Sequence, residues 1–104
     1  MYAQYLNSSS SVGGWFIAAD EETAIAMAKA ALEARFPDMP GTQRLDRHPL
    51  GGGREVTPAE VSWAMGRGRL DKRPIAYVDP ALGLTAADTS RGSGGWDFTN
   101  LVGL

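Results

Sequence analysis

The chain of 104 residues changes rhythm several times along its length. Trp15-Phe16-Ile17-Ala18 is an apolar run behind Gly13-Gly14, too short for a helix, and predicts a strand. From residue 21 the apolar positions recur at helical spacing: Ile25, Ala28, Leu32 and Phe36, flanked by Ala24, Met27 and Ala31, with Glu22, Lys29 and Glu33 on the other side. Asp20 suits the N-cap because its carboxylate can accept from a free N–H of the first turn. Glu21 and Glu22 place negative charge where the helix dipole favours it, and Pro37 stops the helix.

A second helix announces itself by its start rather than its stripe. In Thr57-Pro58-Ala59-Glu60 the threonine suits the N-cap, the proline the first helical position and the glutamate the third, a capping box. Val61, Ala64 and Met65 give it an apolar face, and Gly66 and Gly68 end it. Residues 2–6 (YAQYL) and 74–78 (PIAYV) read as strands. The polar Ser8–Ser11 loop makes the first two strands a hairpin. Residues 42–48 are expected as an edge strand ended by Pro49, Gly51-Gly52-Gly53 and residues 81–95 as loops, and 96–102 (WDFTNLV) as a closing strand. The order β-β-α-β-α-β-β predicts one α+β domain, with an antiparallel or mixed sheet of about five strands and one long and one short helix.

Composition removes several function classes. Without cysteine the chain has no disulfide and no thiolate metal site. No apolar run approaches the ~20 residues that cross a bilayer, and the N-terminus lacks the basic and apolar regions of a signal peptide. No membrane association is expected, and the location expected is cytoplasmic. The net charge of −2 is unevenly spread: residues 1–40 hold five carboxylates against Lys29 and Arg35, and the remainder holds eight cations against seven anions.

Chemistry-bearing motifs are sparse. The basic segment Arg67, Arg69, Lys72 and Arg73 could meet phosphates, with Trp63 or Tyr77 stacking a base, but Asp71 offsets it and a solvated loop is the simpler reading. His48, the only histidine, lies two residues after Asp46 without a serine or cysteine elbow or a second ligand at metal spacing. The Gly51–Gly53 and Gly92–Gly95 stretches match no phosphate or dinucleotide fingerprint, and the spacing of Asp79, Asp88 and Asp97 is unlike a calcium loop. Neither catalytic residues nor a cofactor are expected.

The positive signal is apolar surplus. The strands at 15–18 and 75–78 are apolar on both faces, the pattern of strands covered on both sides. Two helices look insufficient to cover both faces of such a sheet, which leaves the Gly-rich C-terminal segment or another chain, a protein partner or a homodimer, as the cover. The expected surface comprises Trp15, Tyr77 and Trp96, or the acidic turn Asp20, Glu21 and Glu22. The function expected is a small non-enzymatic protein-binding domain, with a profile like that of phage or mobile-element accessory proteins and inhibitors. Nucleic-acid contact through residues 67–73 is the alternative, and a small enzyme without a recognisable motif the third reading.

Overall fold

The computed structural model describes residues 1–86, so the strand expected at 96–102 lies outside the described residues. The elements are β1 (Tyr2–Leu6), β2 (Gly14–Ala18), α1 (Glu21–Arg35), α2 (Gly41–Arg47), β3 (Leu50–Glu55), α3 (Pro58–Met65), β4 (Arg69–Leu70) and β5 (Arg73–Val78), followed by a 3₁₀ turn at Pro80–Leu82. They form an α+β domain on one mixed sheet in the order β3-β1-β2-β5-β4. β1 pairs antiparallel with β2 and β3, β5 runs parallel to β2, and β4 and β5 form a hairpin.

Both expected helices form for the expected reasons. Asp20 accepts from the Thr23 N–H at 2.8 Å, and the Phe36 N–H closes α1 on the Leu32 carbonyl. The buried face of α1 is centred on Ala24, Ala28 and Leu32, with Ile25 at its margin. Thr57 and Glu60 exchange both hydrogen bonds of the capping box that starts α3.

Two stretches differ from expectation. Residues 41–47 are a helix, not an edge strand. Gln43, Arg44 and Leu45 are good helix formers, and Leu45 packs on the cluster beneath α1. The Arg44 guanidinium donates to the carbonyls of Phe36 and Met39, tying α2 to the end of α1.

Gly51-Gly52-Gly53 is not a loop but part of β3. A Cβ at Gly51 would lie 2.7 Å from the Tyr5 ring, and one at Gly53 2.7 Å from the Tyr2 ring. The glycines let β3 approach a strand that carries two tyrosines. Between Gln4↔Gly53 and Leu6↔Leu50 the register slips by one residue, a bulge that the glycine run accommodates.

A second bulge lies between β2 and β5, where Trp15 faces Ile75 but Phe16 faces Tyr77. It places Ala76 and Tyr77 together on the α1 side, alongside Phe16 and Ala31.

The sheet is filled on both faces. Leu6, Phe16, Ala28 and Leu32 form the core under α1; Ala3, Trp15, Ile17, Val56, Val61, Trp63, Ala64 and Leu70 form the core under α3. All five residues of β2 are buried. The apolar pattern at 15–18 therefore did mark a strand covered on both sides: α1 with Leu45 of α2 lies over one face, and α3 with Leu82 and Leu84 over the other. Arg54 on the β3 edge reaches Asp71 in the β4–β5 turn at 2.6 Å and Glu60 on α3 at 2.8 Å.

Candidate interaction surfaces

Of the aromatic residues expected at an interface, the fold separates two. Trp15 is a core residue: it is 6% exposed, its indole Nε1–H donates to the Leu70 carbonyl at 2.7 Å, and its ring lies 5.4 Å from that of Tyr5. It offers no surface. Tyr77 is 44% exposed, the exposed large hydrophobic residue among those described. Trp96 lies outside the described residues.

Tyr77 stands at the rim of a groove of about 440 Å³ between α1 and β5, whose walls include Val12, Phe16, Met27, Ala31 and Ala76. The small side chains of α1 keep the helix low over the sheet and leave the space open. Among the described residues β4 pairs β5 only at Arg73 and Pro74, so the outer edge of β5 alongside Ala76–Val78 has no neighbouring strand. A strand edge beside an apolar groove can take an extended peptide: the edge supplies main-chain hydrogen bonds and the groove accepts alternate side chains.

The acidic turn is partly used by the fold. The Asp20 carboxyl is held below its ordinary range, first by the Thr23 backbone N–H, while the Glu21 carboxylate lies where it acts on the Tyr2 phenol. Desolvation at the sheet end is the larger cause that raises the Tyr2 phenol above its usual value, with Glu21 the next. Glu22 is exposed beside a shallow depression formed with Ile25, Ala26 and Lys29.

The basic segment is not a loop but a hairpin preceded by a turn. Arg69, Lys72 and Arg73 are exposed, Arg73 lies 4.2 Å over the Tyr5 ring, and Arg67 lies 5.8 Å from the centre of Trp63. Asp71, counted above against these cations, turns to Arg54 instead. Partial burial works against the Arg54 charge, but the hydrogen bonds to Glu60 and Asp71 outweigh it and raise its pKa.

His48 Nδ1 lies 2.7 Å from Ser8 Oγ, and its ring stacks on Phe36 at 4.5 Å. Ser8 Oγ also accepts from the Ser10 N–H and lies 2.8 Å from Ser10 Oγ. The network ties the β1–β2 loop to the end of α2, a tether between segments 40 residues apart that sequence inspection missed.

Asp79 caps the 3₁₀ turn through the Ala81 N–H, whereas Asp88, Asp97 and the second glycine stretch lie outside the described residues. Among the described residues no three metal-ligating side chains gather, and no helix is long and apolar enough to cross a membrane. The groove and the inward turn of Asp71 left no trace in the sequence, because both depend on partners remote in the chain. No protein family, curated protein or solved structure matches this chain.

Proposed function

We propose that this chain is a non-enzymatic protein-binding domain, of the accessory or inhibitory kind, that receives an extended apolar segment of a partner protein along the outer edge of β5. The single observation that carries this reading is the placement of Tyr77, exposed at a strand edge and at the rim of an apolar groove. Aromatic residues so placed are common anchors of protein interfaces. The acidic turn at Asp20–Glu22 is less favourable, since Asp20 is taken up by the helix cap and Glu21 neighbours the Tyr2 phenol.

The test compares the wild-type chain with Tyr77→Arg and Ala31→Arg as baits in the native host, followed by titration of the recovered partner against each purified variant. A partner whose affinity falls at least tenfold with both groove variants and is unchanged by Glu22→Ala supports the reading. A partner that binds all of them alike removes the groove from it. Light scattering on the wild-type chain identifies the case in which the partner is a second copy, seen as a mass of twice 11.1 kDa that Tyr77→Arg returns to the monomer value.

A further inference from the structure

We infer that the tip of the β4–β5 hairpin contacts the phosphate backbone of a nucleic acid, at a surface separate from the Tyr77 groove. Three independent observations converge on this tip.

The first is conformational. The two turn residues, Asp71 and Lys72, have φ of 49° and 70°, both in the left-handed region. Two-residue hairpin turns of this geometry favour Asn-Gly or Asp-Gly, because only glycine enters the second position without a steric cost. Asp71 has a local reason to be there, since it tolerates that conformation and is held by Arg54. Lys72 has none among the described residues: it is exposed, and glycine would suit its backbone better. Backbone strain kept by a charged, exposed residue is a recurrent mark of functional positions.

The second is electrostatic. Residues 67–73 hold four of the nine Lys/Arg side chains among the described residues. Asp71, the one carboxylate in the segment, and Glu60 of α3 both pair with Arg54, and Arg54 together with the four cations of the segment outnumbers these two carboxylates. A polyanion is drawn to such a cluster.

The third is rigidity. Leu70 is buried with its carbonyl accepting from the Trp15 indole and Asp71 is tied to Arg54, so Arg69, Lys72 and Arg73 present their charge from a fixed turn. Arg73, packed over the Tyr5 ring, presents the edge of its guanidinium with less side-chain freedom to lose.

The experiment is fluorescence anisotropy of the full chain with a labelled 20-base-pair duplex and a matched single strand, at several salt concentrations. With three phosphate contacts, the logarithm of affinity should fall against that of salt with a slope of about 2 to 3. Arg69→Ser combined with Arg73→Ser should weaken binding at least tenfold at low salt, and Arg69→Lys combined with Arg73→Lys should retain it. Lys72→Gly, which suits the turn, should lower the slope by about one while the protein stays folded. Tyr77→Ala should leave nucleic-acid binding unchanged, so a failed groove and a failed hairpin are told apart. A slope near zero, equal affinity of the serine double variant, or equally tight binding to polyglutamate would each overturn the inference.

Discussion

Arg54 and Asp71 sit near opposite edges of one five-stranded sheet and nevertheless form an ion pair at 2.6 Å. The sheet must curl around α3 to bring them together, and Glu60 on α3 fills the other side of the same guanidinium at 2.8 Å. One side chain thus joins β3, α3 and the β4–β5 turn. Because the Arg54 side chain is 35% exposed, solvent screens the pair and its contribution is modest. Arg54→Ala should lower stability by about 1 kcal/mol in urea unfolding, with a smaller difference from wild type at 1 M salt. Arg54→Lys should recover less than half of the loss, because an ammonium lacks the planar fork that reaches two carboxylates.

The glycine run in β3 makes a sharper prediction, since three identical residues in a row meet different surroundings. Gly53→Ala would push a Cβ into the Tyr2 ring and should cost about 1–3 kcal/mol, as overpacking does. Gly52 has nothing within 4 Å of such a Cβ, so Gly52→Ala should change stability by no more than about 0.5 kcal/mol. Thermal unfolding of the two variants side by side decides it; equal shifts would show that ring contact is not what holds the glycines in place.

Lys72 occupies a left-handed backbone position at φ 70°. Lys72→Gly should stabilise the domain by about 0.5–1 kcal/mol, the steric relief exceeding the extra chain entropy of glycine. Asp71→Gly should move the other way despite easing the same kind of strain, because it removes the partner of Arg54. The pair of midpoints in urea separates backbone strain from ion pairing.

The two helix starts respond to different measurements. Thr57→Ala removes the acceptor of the Glu60 N–H and should cost about 1 kcal/mol, with Thr57→Ser nearly neutral. At Asp20 the informative variable is pH. Its carboxyl titrates lower folded than unfolded, so the stability it adds is complete above its unfolded pKa and is lost as pH falls through its folded one. Asp20→Asn keeps a capping oxygen without that titration. The stability difference between wild type and Asp20→Asn should therefore favour wild type least at the acid end, as followed by unfolding from pH 6 down to pH 2.

The sequence by itself determined the features that depend on a few neighbouring residues: the Asp20 and Thr57 caps, the span of α1, the strands at 2–6, 15–18 and 74–78, and the α+β class. Caps and helical stripes are local because their hydrogen bonds and contacts close within four residues. It also marked β2 as buried on both sides, because an uninterrupted apolar run tolerates water on neither face.

Tertiary structure alone decided what covers those faces, since a sheet's curl is set by pairing between segments tens of residues apart. It turned the glycine run into a strand, because the rings of Tyr2 and Tyr5 lie where side chains would otherwise go. It made 41–47 a helix, where a single apolar residue, Leu45, had no periodicity to declare it. It buried Trp15 in the core under α3 and left Tyr77 exposed beyond the bulge at Ala76, and it aimed Asp71 inward by offering it Arg54. Each of these outcomes is a contact across long sequence separation, and such contacts are settled by packing rather than by local propensity.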